Sequence, residues 1–375
     1  MKKISSKSLK AGMIVAQDVL SKQGQSIAKA GTTLNAALIA KLSFYRIPEI
    51  YVEEDENIPN MDKKEEKKPA KDLEDIKPKN ETIAYSERLK STPEFQEFSL
   101  NYSKNVAELR TAYLKILGGN GDEIKRDKLL KGVETLFISH TALELFDLLH
   151  TMRTVDDSIY AHGVNVALVT RAIGKWLKWG KEELNTLTLA GLLYDIGKIK
   201  IPAEVLNKSG KLTDEEFAMI RNHPRNGYEL LKEVPNLEPE ILNAALKHHE
   251  RFDGSGYPDG LLGEDIDDMA AVVAIADVYD AMTASRSYRT PKSAFQVIAM
   301  FEDDGVHKYN PKFILTFLQN IANAYQNNRV ILSDGTSARI IYINQNRLSR
   351  PMVQLDDGSV IDLSRQADLE ITRCL

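Results

Sequence analysis

Histidine and carboxylate side chains recur inside apolar helical runs between residues 162 and 277. A glycine-rich loop, Asp253-Gly254-Ser255-Gly256-Tyr257-Pro258, interrupts these runs. Burying an unpaired charge or imidazole costs roughly several kcal/mol unless a metal ion or another partner compensates it. Nitrogen and oxygen donors together suit hard or borderline cations. The first hypothesis from these residue types is therefore a bound metal ion.

Three segments position the first donors. A predicted helix runs from Tyr160 to about residue 178, and its apolar stripe places His162 on the inward face, one turn before Val166. The segment 189–196 is apolar enough to be buried, yet it carries Asp195 near its end. His223 precedes a proline, which favours a helix end at this histidine. All three residues are thus expected near or inside the core.

Two further predicted helices carry the remaining donors. The helix 239–250 closes on His248 and His249, and the helix 270–284 is charged only at Asp277 and Asp280, which are three apart and share one side. Taken singly, a histidine can be a hydrogen-bonded core residue, and an aspartate can form a structural ion pair. Four of the seven histidines fall in this region, however. A shared cation explains them together most simply.

Composition limits the class of protein. With 375 residues and a formal net charge of -5, the chain can bury sizeable cores and lacks the basic excess typical of proteins that bind nucleic-acid polymers. Cys374 is its single cysteine, which excludes a disulfide framework and suits a reducing compartment. No apolar leader follows Met1, and no run approaches the roughly 18 apolar residues of a membrane span. We expect a cytoplasmic protein without a membrane span.

Changes in composition predict a mainly α protein of five segments. Residues 54–82 are too polar to offset the entropy of ordering, whereas the Asp-Gly pairs at 334 and 357 separate β-branched runs, as in hairpins. The five segments are a small N-terminal α/β module (1–53) with a helical stripe through Leu34, Leu38 and Leu42, a charged flexible linker (54–82), a connector of two helices (83–150), the helical domain that carries the chemistry (151–328) and a small C-terminal β module (329–375).

A series of short motifs within the helical domain resembles a known family. The motifs are Ala161-His162, Tyr194-Asp195-Ile196-Gly197-Lys198, His223-Pro224, the run from His248 to Pro258, Ile275-Ala276-Asp277-Val278-Tyr279-Asp280-Ala281 and Arg286-Ser287-Tyr288-Arg289. Between about residues 151 and 325 the chain is similar to the HD-GYP family, a branch of the HD-domain phosphohydrolases. The resemblance implies an HD-type helical bundle that holds divalent iron or manganese ions. It also implies hydrolysis of cyclic di-GMP to pGpG or GMP, as in bacterial signal transduction.

The resemblance assigns roles to single residues. The metal ligands that it implies are His162, Asp195, His223, His248, His249 and Asp277. Asp195 would bridge two ions, and Lys198 matches the lysine that contacts the scissile phosphate. The residues matched to substrate binding are Arg286, Arg289, Tyr257 and Asp280. Two cations acidify a bridging water and clamp the phosphate, which is the chemistry that phosphodiester hydrolysis requires.

Two positions depart from the family pattern. The His-Asp pair of the family is Tyr194-Asp195 here, so a phenol with an ordinary pKa of about 10 replaces an imidazole ligand. Three outcomes stay open: Tyr194 coordinates iron as phenolate, water fills the gap beside a weakly bound ion, or the site binds nucleotide without cleaving it. Ser158 stands where members with a third ion carry glutamate, so two ions are expected.

Two classes of function follow from the motifs. The first is a cyclic di-GMP phosphodiesterase, with activity reduced by Tyr194. The second is a catalytically impaired receptor for cyclic di-GMP, or a module that binds a signalling protein through the loop Gly256-Tyr257-Pro258. The small terminal modules are expected to sense a signal or to mediate a homodimer.

Overall fold

The structure is a computed structural model. It describes residues 1–5, 9, 12–20, 26–34, 42, 47–53, 92–138, 140–152, 158–206, 208, 210–284 and 292–374. The chain divides into two compact units, residues 1–95 and 96–375. The predicted linker at 54–82 and the arginines at 286 and 289 lie outside the described residues.

The first unit contains two small antiparallel sheets. Strand β1 (Lys2–Ser5) pairs with β4 (Glu49–Val52), and β2 (Val19–Leu20) pairs with β3 (Ser26–Ala28). Strand β4 contains the apolar run Ile50-Tyr51-Val52. Leu34 and Leu42 are buried in the core of this unit, but Leu38, the middle of the predicted helical stripe, lies outside the described residues.

Helices dominate the chain from residue 93 onward. They are α1 (Pro93–Leu117), α2 (Arg126–Ile138), α3 (Ala142–Met152), α4 (Ile159–Trp176), α5 (Lys181–Leu193), α6 (Ala203–Leu206), α7 (Asp214–Arg221), α8 (His223–Lys232), α9 (Pro239–Lys247), α10 (Asp268–Thr283), α11 (Ala294–Met300), α12 (Val306–Lys308) and α13 (Pro311–Ala324). The predicted mainly α fold is confirmed. Within the described residues, no helix combines the length and apolarity needed to cross a membrane.

The connector before the main domain contains three described helices, α1 to α3, where two were predicted. The additional break lies between α2 and α3. There the Thr141 hydroxyl accepts the backbone N–H of Glu144 at 3.3 Å, and the Glu144 carboxylate accepts the backbone N–H of Thr141 at 2.9 Å. This reciprocal pair is a capping box, which satisfies two orphan donors and starts a new helix.

Close packing of α4 against α5 positions the chemistry. A Cβ atom at Gly191, in α5, would lie 2.8 Å from both the Cα of Ala167 and the Oγ1 of Thr170 in α4. A side chain at this position would therefore push the two helices apart. The approach brings Tyr194, at the end of α5, to within hydrogen-bond distance of His162 in the first turn of α4.

A five-stranded antiparallel sheet forms the C-terminal end of the described chain. Its strands are β5 (Arg329–Leu332), β6 (Ser337–Tyr342), β7 (Met352–Leu355), β8 (Val360–Asp362) and β9 (Ile371–Cys374), in the spatial order β8-β7-β6-β5-β9. The two predicted Asp-Gly turns join β5 to β6 and β7 to β8. The sheet belongs to the same compact unit as the helices. One link between them is the Ser293 hydroxyl, which donates to the carbonyl of Ile371 at 2.8 Å.

Candidate metal centre

The candidate site lies where the ends of four helices meet the middle of α10. His162 is in the first turn of α4, and Asp195 follows α5. His223 begins α8, and His248 closes α9. Asp277 lies inside α10. Helix ends leave backbone N–H and carbonyl groups without a partner inside the helix. Hydrogen bonds to such carbonyl groups fix the orientation of the histidine rings.

Three histidines form the first part of the site. The ligand atoms of His223, His248 and His249 all lie within 4.8 Å of one another. The Nε2 atoms of His223 and His248 are 3.1 Å apart. Burial lowers the pKa of His223 and of His249 to about 3, and it holds the pKa of His248 well below its usual range. The three rings are therefore neutral near pH 7.

Backbone carbonyls determine which nitrogen of these rings carries the proton. His223 Nδ1 lies 2.7 Å from the carbonyl oxygen of Ile220, and His248 Nδ1 lies 3.0 Å from that of Ala245. Since a carbonyl only accepts hydrogen bonds, both Nδ1 atoms donate, and the Nε2 atom of each neutral ring has a lone pair. Two lone pairs that face each other at 3.1 Å repel unless a cation lies between them.

Asp195 adds an anionic donor beside this pair. It is fully buried, and its Oδ1 lies 3.3 Å from His223 Nε2. Burial raises the pKa of Asp195, whereas the Lys198 ammonium, 2.6 Å from Oδ2, lowers it. Oδ2 thus pairs with Lys198, whereas Oδ1 receives no hydrogen bond within the described residues. Imidazole nitrogens and an under-coordinated buried carboxylate are the donors of transition-metal sites, so this set fits a divalent metal ion.

A tight turn holds Asp195 and Lys198 against α8. Residues Ile196–Lys200 form this turn, which contains the buried Gly197. A Cβ atom at Gly197 would lie 2.0 Å from the carbonyl oxygen of His223. The absence of a side chain there allows the turn to bring Asp195 within reach of His223.

His162 and Tyr194 form the second part of the site. His162 Nε2 lies 2.9 Å from Asp277 Oδ1, and His162 Nδ1 lies 2.7 Å from Asp280 Oδ2. The Tyr194 hydroxyl is 2.8 Å from both His162 Nε2 and Asp277 Oδ1. Burial lowers the pKa of His162, but the hydrogen bonds to the two aspartates outweigh this effect and raise it to about 9. Burial and Asp277 hold the pKa of Tyr194 well above its usual range.

The loop 253–258 contacts the three-histidine part of the site through Tyr257. The Tyr257 ring stacks on His249, with 4.7 Å between centroids. The Arg221 guanidinium lies 4.6 Å from the centroid of the same ring. Arg221 and Tyr257 also line an open cavity of about 240 Å³ together with Ala218, Asn222 and Pro258. Arg221 is a residue that the motif reasoning missed, although it stands only two positions before His223.

Glu250 holds the end of this loop. Its carboxylate accepts the backbone N–H of Asp259 at 2.7 Å and that of Leu261 at 2.9 Å. Only 2% of Glu250 is exposed. The sequence motifs give Glu250 no role, although a carboxylate directly after two buried histidines indicates that it has a partner of its own.

The structure brings most of the predicted site residues into one cluster. Those described and clustered are His162, Asp195, Lys198, His223, His248, His249, Tyr257, Asp277 and Asp280. The Tyr194 ring connects the two parts, since it contacts the His248 ring at 4.8 Å between centroids. Their individual roles stay predictions, as do those of Arg286 and Arg289, which lie outside the described residues.

Comparison with known proteins identifies the domain that carries this cluster. A family model described as HD domain matches residues 140–313. These residues form an HD domain. The predicted resemblance is therefore confirmed for this part of the chain. All the ligands that the resemblance implies fall inside the HD domain.

Curated relatives match the HD domain and its surroundings. A cyclic di-GMP phosphodiesterase of Pseudomonas aeruginosa is 37% identical over 170 residues, covering 45% of this chain and 41% of that protein. A cyclic di-GMP phosphodiesterase of Thermotoga maritima is 33% identical over 219 residues, covering 56% of this chain and 57% of that protein. The matches thus span only about half the length of these relatives.

One solved structure shares the fold more widely. It is a protein of Bdellovibrio bacteriovorus that is described as an HDGYP protein. The two structures superpose with a TM-score of 0.50 at 16% sequence identity, covering 85% of this chain and 99% of that one. At this identity the likeness concerns the fold alone.

Proposed function

We propose that the chain is a metal-dependent phosphodiesterase that hydrolyses cyclic di-GMP to pGpG or GMP. The observation that carries the proposal is the pair of facing Nε2 lone pairs of His223 and His248, 3.1 Å apart beside the buried Asp195 carboxylate. This donor set belongs to an HD domain, and relatives that match the domain are named cyclic di-GMP phosphodiesterases. The names of the relatives therefore support the choice of substrate, and the donor set of the site supports the type of reaction.

The residues of the site have distinct tasks in this reaction. His223, His248, His249 and Asp195 would hold a metal ion, which supplies a hydroxide nucleophile and polarises the phosphoryl oxygens. Lys198, whose ammonium lies 2.6 Å from Asp195 Oδ2, would neutralise charge that develops on the phosphate. Asp280 would act by positioning, because its carboxylate accepts the Nδ1–H of His162 and so fixes that ring.

Basic side chains near the metal centre would hold the dinucleotide. Arg221 points its guanidinium at the Tyr257 ring and lines the open cavity beside it, where it would contact a phosphate or a guanine. Arg286 and Arg289 keep the substrate-binding role that their motif predicts. Because a cyclic dinucleotide carries only two phosphates, a few arginines suffice in a chain of net charge -5.

Iron and manganese are the metals that we propose. Imidazole with carboxylate suits either ion in its divalent state. The resemblance implies two ions, and the second would need His162 and Asp277. These two residues lie on the Tyr194 side of the cluster, 2.9 Å apart.

Tyr194 supports a second candidate function. Its hydroxyl lies within 2.8 Å of both His162 and Asp277, so it alters the part of the site where the family has a histidine. A chain with this change would bind cyclic di-GMP as a receptor and relay the signal, or bind a protein through the loop Gly256-Tyr257-Pro258. The receptor and the enzyme differ only in turnover.

Turnover of cyclic di-GMP by the full chain separates the two functions. The protein is purified without oxygen, supplied with Fe(II) or Mn(II), and its products are separated by chromatography. We expect release of pGpG or GMP and a loss of about 100-fold in Lys198→Met, the scale found when one charge-stabilising group is removed. Lys200→Met is the matched control, because Lys200 is exposed on the same turn. Binding without cleavage in the wild type would refute the enzyme and favour the receptor.

A further inference from the structure

The Tyr194 hydroxyl contacts both of the side chains that a second ion would need. The Tyr194 hydroxyl donates to Asp277 Oδ1 at 2.8 Å and therefore presents only its oxygen to His162 Nε2, which is also 2.8 Å away. His162 Nε2 thus faces two acceptors, and His162 Nδ1 faces a third, Asp280 Oδ2, at 2.7 Å. The phenol oxygen therefore lies in contact with both His162 and Asp277, where a second ion would need to bind.

The three-histidine part of the site is arranged differently. The Nδ1 protons of His223 and His248 are committed to backbone carbonyls. The remaining lone pairs of these neutral rings point at each other across 3.1 Å, with Asp195 Oδ1 a further 3.3 Å from His223 Nε2. Three acceptors converge without a donor between them. A cation between these atoms removes this conflict.

We infer that the HD domain holds a single metal ion, at His223, His248, His249 and Asp195, and that the Tyr194 hydroxyl replaces the second ion by joining His162 to Asp277. A phenol extends further from its Cβ atom than an imidazole does, so its oxygen reaches both of the residues that a second ion would need. Tyr194 is fully buried, so solvent does not compete for its hydroxyl. His162, Asp277 and Asp280 then form a structural support for the ion-binding half.

This inference rests on the metal centre of the proposed function but not on the identity of the substrate. It predicts the number of ions per chain and where they bind. It also predicts that Tyr194→His opens the second position, because the substitution removes the bridging hydroxyl and supplies a nitrogen ligand. Tyr194→Phe removes the hydroxyl without supplying a ligand, so it serves as the matched control.

The test is metal stoichiometry by elemental analysis, with electron paramagnetic resonance, on full-length protein loaded with Mn(II) and desalted without oxygen. We expect about one manganese per wild-type chain, with the spectrum of an isolated ion. We expect about two in Tyr194→His, with the spectrum of a coupled pair, and one in Tyr194→Phe. Circular dichroism reports whether each variant keeps its helical content.

The site of the single ion is tested by two further substitutions. His248→Ala should lose the manganese, whereas His162→Gln should retain it. Two ions in the wild type, one ion in a folded Tyr194→His chain, or loss of the ion only from His162→Gln would each overturn the inference. A wild-type chain that binds no ion would refute the proposed function as well, whereas two ions would leave the proposed function intact.

Discussion

The buried Glu250 carboxylate is expected to set the stability of the loop beside the metal centre. It accepts backbone N–H groups from Asp259 and Leu261, and hydrogen bonds to a charged group contribute about 1.5–3 kcal/mol each. In Glu250→Gln the amide keeps one acceptor but turns its NH2 group toward the other backbone N–H. The loss of one bond and the unsatisfied donor together should lower the free energy of unfolding by about 2–4 kcal/mol.

Urea unfolding of the full chain measures this change, and hydrogen exchange locates it. The amides of Asp259 and Leu261 should exchange faster in Glu250→Gln, since their acceptor is altered. Glu264→Gln is the matched control because Glu264 is exposed in the same region, and its effect should stay within about 0.5 kcal/mol. Equal stabilities for the two variants, with unchanged exchange at both amides, would show that Glu250 does not hold the loop.

Three further substitutions test other parts of the structure. Burial raises the pKa of Asp147 to about 7, so the folded state holds a proton that the unfolded state releases above about pH 4. The free energy of unfolding of the wild type should therefore fall between pH 4 and 7, by at most about 1.4 kcal/mol per pH unit. Asp147→Asn should remove this pH dependence, as measured by urea unfolding. Arg221→Ala should raise KM for cyclic di-GMP about tenfold with little change in kcat, which corresponds to the loss of one contact of about 1.4 kcal/mol. Arg225 has an exposed side chain, so Arg225→Ala should leave both constants unchanged. Gly197→Ala should lower the free energy of unfolding by about 3 kcal/mol, because the new Cβ atom would lie 2.0 Å from the carbonyl oxygen of His223. An unchanged melting temperature would contradict this close approach of the turn to α8.

Periodicity in the sequence predicted the helices that carry the site. The inward position of His162 follows from its place one turn before Val166, and the donors Asp277 and Asp280 share one side of α10 because they are three residues apart. Both aspartates indeed contact His162. Local spacing is sufficient for such predictions, since it depends only on the geometry of one helix.

Contacts between distant segments could not be predicted in the same way. Tyr194 lies 32 positions after His162 and 83 before Asp277, and its hydrogen bonds to them depend on the approach of α5 to α4 at Gly191. A pattern of side chains also cannot predict the role of Glu250, because its partners are backbone N–H groups. In contrast, the extra helix in the connector had a readable signal, Thr141 followed three residues later by Glu144.

The ligands of the bound ion are the most direct measure of the metal centre. X-ray absorption spectroscopy of the manganese-loaded full chain reports how many imidazole rings surround the ion. We expect the scattering of three imidazoles, from His223, His248 and His249, together with at least one oxygen ligand, from Asp195. A spectrum with oxygen ligands alone would contradict a metal centre built on these histidines.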